Sequence, residues 1–217
     1  MKFKDTLNYR QSIRIFKNKS IPKKDLREIV QLAGKAPSWT NSQPWRVHIA
    51  TGDTLKKIKA DHLKHYDLGI HGNPDYPFPT RDSWDQLSQL NSFKWSSELG
   101  NFLGSENASQ MTYANTHLFD ASAIVYLTLP QNSSTWTIYD LGAFGQTLML
   151  AAADRRIDSM IAYEFIKYPD SLRKILNISE DNKFVIGIGL GYRDEQYQIN
   201  KFKSSRTNIN EILNIQD

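Results

Sequence analysis

The sequence predicts one globular domain, residues 1–217, in which amphipathic helices are interleaved with buried strands. Three observations carry that reading. Ala121 to Leu129 and Lys183 to Gly191 are nearly unbroken apolar runs of the length of central strands. Leu26, Ile29, Val30 and Ala33 repeat at the i, i+3, i+4, i+7 spacing of one helical face. A chain of 217 residues, 40% hydrophobic and 23% charged, is long enough to bury a core and too apolar to stay disordered.

Composition also narrows the chemistry. There are no cysteines, which excludes disulfides, thiolate metal sites, iron-sulfur clusters and cysteine nucleophiles, so any redox chemistry must use a cofactor. The opening residues Met1 to Asn8 hold no apolar stretch of signal-peptide length, and no run is long enough to span a bilayer. A cytoplasmic protein without membrane contact is expected. Net charge is +4, but the basic residues are spread along the chain, which favours small anionic ligands over nucleic acid.

Taken in order, the chain first presents Tyr9 to Phe16. If this segment is extended, its period of two sets Arg10, Ser12 and Arg14 on one side and Ile13 and Ile15 on the other. Two guanidinium groups and a hydroxyl so placed outline a phosphate clamp. If it is helical, the arginines form a solvated basic stripe; the β-branched isoleucines favour the extended form. Pro22 opens a helix to about Lys35, which delivers the chain into Ala36 to Trp45. That stretch has two prolines, no charge, two tryptophans and the neutral Ser38, Thr40, Asn41, Ser42 and Gln43. It should be a loop, and it reads equally as a core-anchored turn or as a contact for a flat, partly polar aromatic ligand.

Trp45, Val47 and Ile49 then alternate with Arg46, His48 and Ala50 as a strand with one buried face, on which His48 is half exposed. Asp53 is positioned to cap a lysine-rich helix carrying Asp61, His62 and His65, and no third ligand stands near enough to make these histidines a metal site. From Tyr66 to about Gly104, three prolines sit among Tyr76, Phe78, Trp84, Phe93 and Trp95, the pattern of an inserted lid or helical flap. Thr135 to Arg155 should be the longest helix. It is apolar around most of its circumference, as a helix buried in a subunit interface would be, and Asp140 near its start suits the helix dipole. A short apolar piece, Ser159 to Tyr163, precedes a helix from about Pro169 to Leu176. The strand at Lys183 to Gly191 ends in glycines without a G-x-G-x-x-G helix opening, so close backbone packing explains them better than a nucleotide fingerprint. The tail Asn200 to Thr207 is polar and basic.

An Arg-x-Ser-x-Arg opening, a Pro-Ser-x-x-Asn-x-Gln-Pro-Trp loop, an Asp-x-Gly helix, an Ile-x-Leu-Gly-Tyr strand end and an Asn-x-Phe-x-x-x-Arg tail follow one another here. In this order and spacing they resemble the nitroreductase family of FMN-dependent, NAD(P)H-using oxidoreductases, over nearly the whole chain. The resemblance implies an α+β fold, three layers α-β-α with a mainly antiparallel central sheet, and an intertwined homodimer with FMN at the interface. It implies that Arg10, Ser12 and Arg14 hold the FMN phosphate and ribityl chain, joined by Arg206. Pro37, Ser38, Trp39 and Asn41 would meet the isoalloxazine ring from the partner subunit, with Gln43 in the same motif. Trp39 stands where relatives commonly have a small residue. Ala162, Tyr163 and Glu164 would bring their backbone toward flavin N5, in a segment where many relatives carry glycine.

By the same resemblance the chemistry is the cofactor's: hydride passes from NADH or NADPH to FMN N5 and on to nitroaromatic, quinone or similar acceptors in a ping-pong cycle, with no catalytic side chain and no metal. Two alternatives compete with it: a reductive dehalogenase or flavin-modifying enzyme on the same fold, and a non-catalytic phospholigand or nucleic-acid binder built on Arg10, Arg14 and Arg206.

Overall fold

The computed structural model describes residues 1–77 and 79–216; Phe78, one of the aromatics of the expected insertion, lies outside the described residues. Four antiparallel strands form one sheet in the order β1-β2-β4-β3, with β1 at Arg46–Ala50, β2 at Ala123–Pro130, β3 at Asp158–Ala162 and β4 at Asn182–Gly191. The central pair is sequestered on both faces, which is why β2 reads as a continuous apolar run rather than an alternating one. Its residues still sort by parity. Ile124 and Tyr126 join one core, and Ala123, Val125, Leu127 and Leu129 join the other.

The second of these cores is covered by α2 (Lys23–Ala33) and α6 (Thr135–Asp154), whose Leu26, Ile29, Leu141, Phe144 and Leu148 pack on the sheet. The first is covered by α3 (Gly52–Asp67), α4 (Gln86–Asn107), α5 (Ser109–Thr116) and α7 (Pro169–Leu176). Each fully buried Leu or Ile adds about 1.5–3 kcal/mol, so the two cores lock the sheet between two helical layers. A short α1 (Phe3–Tyr9) precedes them. The result is the α+β, three-layer architecture that the resemblance implies. No helix among the described residues is long and apolar enough to cross a membrane.

The strand glycines are explained by close packing. A Cβ on Gly189 would stand 2.5 Å from Phe165 Cζ, and one on Gly191 would stand 2.6 Å from Phe16 Cγ. These rings fill the places that side chains would take, which lets the turn at Tyr163–Ile166 and the segment after α1 press onto β4.

Several local expectations need correction. Asp53 does not cap α3: Thr51 holds the N-cap position, and Asp53 sits in the first turn paired to Lys56 Nζ at 2.9 Å. The helices α1 and α5 have no counterpart in the sequence reading, because α1 buries only Thr6 and α5 carries almost no amphipathic contrast. Thr135 to Arg155 holds the longest uninterrupted helix among the described residues, the 20 residues of α6, since the 22 residues of α4 are broken at Gly104 (φ 63°). Within one chain α6 leaves Trp136, Tyr139, Gly142 and Gln146 as an exposed stripe.

Candidate cofactor site

After α1 the chain turns extended at Arg10 (φ −62°, ψ 119°). Ser12 pairs with Ser159 in a parallel bridge, and the Ile13 N–H donates to the Ser159 carbonyl at 3.0 Å, so the segment runs beside β3. Ile13 and Ile15 are wholly buried, as the period of two requires. What fixes the segment from the other side is Asn200, itself buried. Its Oδ1 accepts from the backbone N–H groups of Arg14 (2.8 Å) and Ile15 (3.1 Å), and its Nδ2 donates to the carbonyls of Ile15 (2.6 Å) and Asp194 (2.9 Å). A single amide thus ties the tail to the Arg-x-Ser-x-Arg segment.

Between them lies a recess of about 320 Å³ lined by Arg10, Ser12, Arg14, Trp95, Phe202 and Arg206 among others, with no carboxylate in its walls. Arg14 is the deepest of these. Its Nη1 donates to the Ser12 carbonyl at 3.3 Å, its guanidinium lies 5.9 Å from the Trp95 ring centre, and its Nε is buried with no hydrogen-bond partner. Burial pulls the Arg14 guanidinium below its usual range, and burial with repulsion from Arg206 does the same to Arg10. Arg206 is exposed and held by its own turn, its Nη1 donating to the Ser204 hydroxyl (2.7 Å) and the Ser205 carbonyl (2.8 Å). Burying unpaired cations costs several kcal/mol apiece, which an anion of fixed geometry offsets. A buried orphan Nε, convergent guanidinium groups and a serine hydroxyl fit the phosphate of a mononucleotide such as FMN.

The Ala36 to Trp45 loop lies elsewhere in the chain and lines no part of this recess. It packs on the start of α6. Trp45 is tucked against Phe144, ring centres 4.8 Å apart, while Trp39 is 61% exposed and meets the Trp136 ring at 5.1 Å. The loop is stiffly built. The Trp39 N–H donates to buried Asp140 Oδ2 at 3.0 Å, the Gln43 N–H to Ser38 Oγ at 3.0 Å, and the Gln43 amide to Asn41 Oδ1 at 3.1 Å. Thr40, Asn41 and Gln43 take left-handed backbone (φ 46°, 58° and 45°), a strain that persists only where surrounding contacts over-determine it. Pro37, Thr40, Asn41, Ser42 and Gln43 are exposed, with Ser38 half-buried.

Ala162 closes β3 and leads into a turn at Tyr163–Ile166. The Glu164 side chain lines no part of the arginine recess and instead lines a small pocket in which Asp61, His62 and Tyr168 meet apolar Ile58, Leu118 and Leu172. Its Oε2 stands 3.3 Å from Lys167 Nζ, an ion-pair distance, and 3.7 Å from Nε2 of His62, neither with hydrogen-bond geometry. Burial raises the Glu164 carboxyl above its usual range despite the pull of Lys167, and burial with Lys167 drives His62 down to about 4. His62 donates through Nε2 to the Asn115 carbonyl at 3.2 Å, a structural role for a histidine neutral at pH 7.

Sequence reasoning singled out Arg10, Ser12, Arg14 and Arg206, and the structure brings those four together; it sets Pro37 to Gln43 and Glu164 apart from them. Trp95 and Asn200 were within reach, one among the aromatics of the 66–104 segment and the other as the first residue of the tail motif. Asp140 as the anchor of the loop was not, because nothing local to it indicates a partner 101 residues away.

A model of the nitroreductase family matches residues 7–192, a span that stops short of Asn200 and Arg206. The chain is 28% identical over 208 residues to the 4-nitrobenzoate reductase of Pseudomonas putida, covering 91% of this chain and 88% of that protein. It is 27% identical over 218 residues to the nitrobenzene nitroreductase of Ectopseudomonas oleovorans, covering 96% and 94%. The crystal structure of the FMN-dependent nitroreductase NfnB from Mycobacterium smegmatis, in complex with NADPH, superposes with a TM-score of 0.90 over 99% of this chain and 97% of that one, at 24% identity. By sequence and fold, the chain belongs to the nitroreductase family.

Proposed function

We propose that this chain is an FMN-dependent oxidoreductase that takes electrons from NADH or NADPH and passes them to nitroaromatic, quinone or similar acceptors by a ping-pong cycle. The observation that carries this reading is the carboxylate-free recess in which Arg10, Arg14 and Arg206 converge with an unpartnered buried Nε. Arg10, Ser12, Arg14 and Arg206 hold the phosphate end of FMN there, and Trp95 of α4 gives the recess an aromatic wall. The 66–104 segment thereby acts as part of the cofactor's surroundings. FMN supplies the hydride acceptance and onward two-electron transfer; the chain binds it, orients it and shields it from water.

The flavin ring is met by Pro37, Ser38, Trp39, Asn41 and Gln43 of a second subunit. Two observations support that arrangement: the loop lies apart from its own chain's recess, and α6 exposes Tyr139, Gly142 and Gln146 in a stripe beside it. A homodimer covers those three residues. Ala162, Tyr163 and Glu164 approach the flavin through their main chain, with the Glu164 carboxyl engaged behind the turn. A cytoplasmic location goes with dependence on NADH or NADPH.

Absorption spectroscopy of the purified protein tests the reading directly. A yellow protein, bleached anaerobically by NADH or NADPH and sedimenting as a dimer, is the expected result. A protein that takes up no FMN on reconstitution and instead binds nucleic acid in a steeply salt-dependent manner refutes it.

A further inference from the structure

We propose that Trp39 and Trp136 form an aromatic jaw that selects flat, electron-poor aromatic acceptors, and that Asp140 is the positioning residue that holds the jaw in shape. This rests on the flavoenzyme reading above. The two indoles come from different elements, the loop and the first turn of α6, yet their ring centres lie 5.1 Å apart with planes tilted by 41°. Each is more than 60% exposed, whereas Trp45 of the same loop is tucked against Phe144. Trp45 and the Asp140 bond already anchor the loop, so the exposed pair has another use; paired aromatic surface left open to water marks a contact yet to be made.

The pair is also held. Asp140 stands one turn beyond Trp136 on α6 and is 5% exposed, and its Oδ2 accepts the Trp39 N–H at 3.0 Å. The left-handed Thr40, Asn41 and Gln43 that follow Trp39 keep the loop from relaxing into a simpler turn. Asp140 therefore fixes the Trp39 backbone against the helix that carries Trp136. Indole faces are electron-rich, and a nitro group withdraws electrons from its ring, so an offset stack against the jaw favours nitroarenes over acceptors without a ring. This gives the Asp of the Asp-x-Gly motif a function besides the helix dipole.

The test uses FMN-loaded Trp136→Ala, Asp140→Ala and Asp140→Asn with saturating NADH or NADPH and two acceptors: 4-nitrobenzoate, which has a ring to stack, and ferricyanide, which has none. Trp136→Ala should lower kcat/KM for 4-nitrobenzoate roughly three- to tenfold, mainly through KM, with ferricyanide reduction, FMN content and sedimentation unchanged; Asp140→Ala, which also frees the loop that meets the flavin ring, should lower it at least as far. Asp140→Asn, which keeps an acceptor oxygen for the Trp39 N–H, should recover most of the loss. Equal losses with both acceptors, no loss with either, or dissociation of Trp136→Ala into monomers overturns the proposal, the last by making the pair an interface element. Trp136 is a surface residue, so its variant decides the matter even if Asp140→Ala fails to fold. A wild-type protein that holds no FMN or reduces neither acceptor is a different outcome, and it removes the flavoenzyme reading itself.

Discussion

Replacing Asn200 by alanine should destabilise the protein far more than loss of one polar side chain ordinarily does. The substitution strips the N–H groups of Arg14 and Ile15 of their acceptor and the Asp194 carbonyl of a donor. The Ile15 carbonyl keeps a second partner, the Asp194 N–H at 3.2 Å, and the Asp194 carbonyl is partly open to water. Two buried orphan donors remain, each costing about 1–3 kcal/mol, so a net loss of about 2–6 kcal/mol is expected. For a chain of this size that lowers the melting temperature by roughly 5–20 °C. Urea unfolding monitored by tryptophan fluorescence, run without added flavin, measures the loss. Asn200→Asp is the informative control: it keeps both acceptor bonds but sets a buried carboxylate oxygen against the carbonyls of Ile15 and Asp194, so it should be destabilised at pH 7 and recover at low pH, where a protonated carboxyl can donate again. If Asn200→Ala unfolds within about 0.5 kcal/mol of the parent, the tail is not what fixes the Arg10 to Phe16 segment, and the account of how the recess is built is wrong.

Two further outcomes follow from the same geometry. Arg206→Ala should weaken FMN binding about 10- to 100-fold, the loss of one charge-assisted contact, while shifting the unfolding midpoint little because the side chain is exposed; equilibrium dialysis with unchanged FMN affinity would show that Arg206 does not reach the phosphate. His62 has its folded-state pKa lowered from 6.5 to about 4, so between those values the unfolded chain takes a proton that the folded chain refuses, and stability falls as pH drops through that window and levels off below it. The fall has an upper bound of about 3 kcal/mol at 1.36 kcal/mol per unit, and Glu164, whose carboxyl is raised, offsets part of it by holding its proton more tightly in the folded state. His62→Gln should flatten the difference between urea midpoints at pH 7 and pH 5; equal pH dependence in the two proteins rules His62 out as its source.

Elements with a one-dimensional signal are legible from sequence. β2, β4, α2 and α7 fall within a residue or two of where periodicity and Pro169 set them, since burial on a sheet or one helical face writes itself into spacing. α1 and α5 bury too little to leave such a trace. The arginine segment was legible because its alternation is local. Its dependence on Asn200 and the loop's dependence on Asp140 were not, because a hydrogen bond between a side chain and a distant backbone leaves no periodic mark in either partner. The exposed stripe of α6 is a related case. Its apolar composition was plain, but whether its cover lies in the same chain is a matter of tertiary arrangement that spacing does not encode.

The recess joins segments that are almost as far apart in sequence as the chain allows, with Gln11 donating to the Asn200 carbonyl across 189 residues. Contacts of such separation close late in folding, after the sheet and both helical layers have paid their loop entropy. On the proposed binding mode, a nascent or partly unfolded chain therefore has no phosphate clamp to offer, and cofactor loading waits for a nearly complete fold, after which the phosphate bridges the two ends of that fold as a reversible cross-link. By mass action it adds stability in proportion to the logarithm of free FMN over its dissociation constant, so cofactor supply becomes a determinant of how long the protein persists.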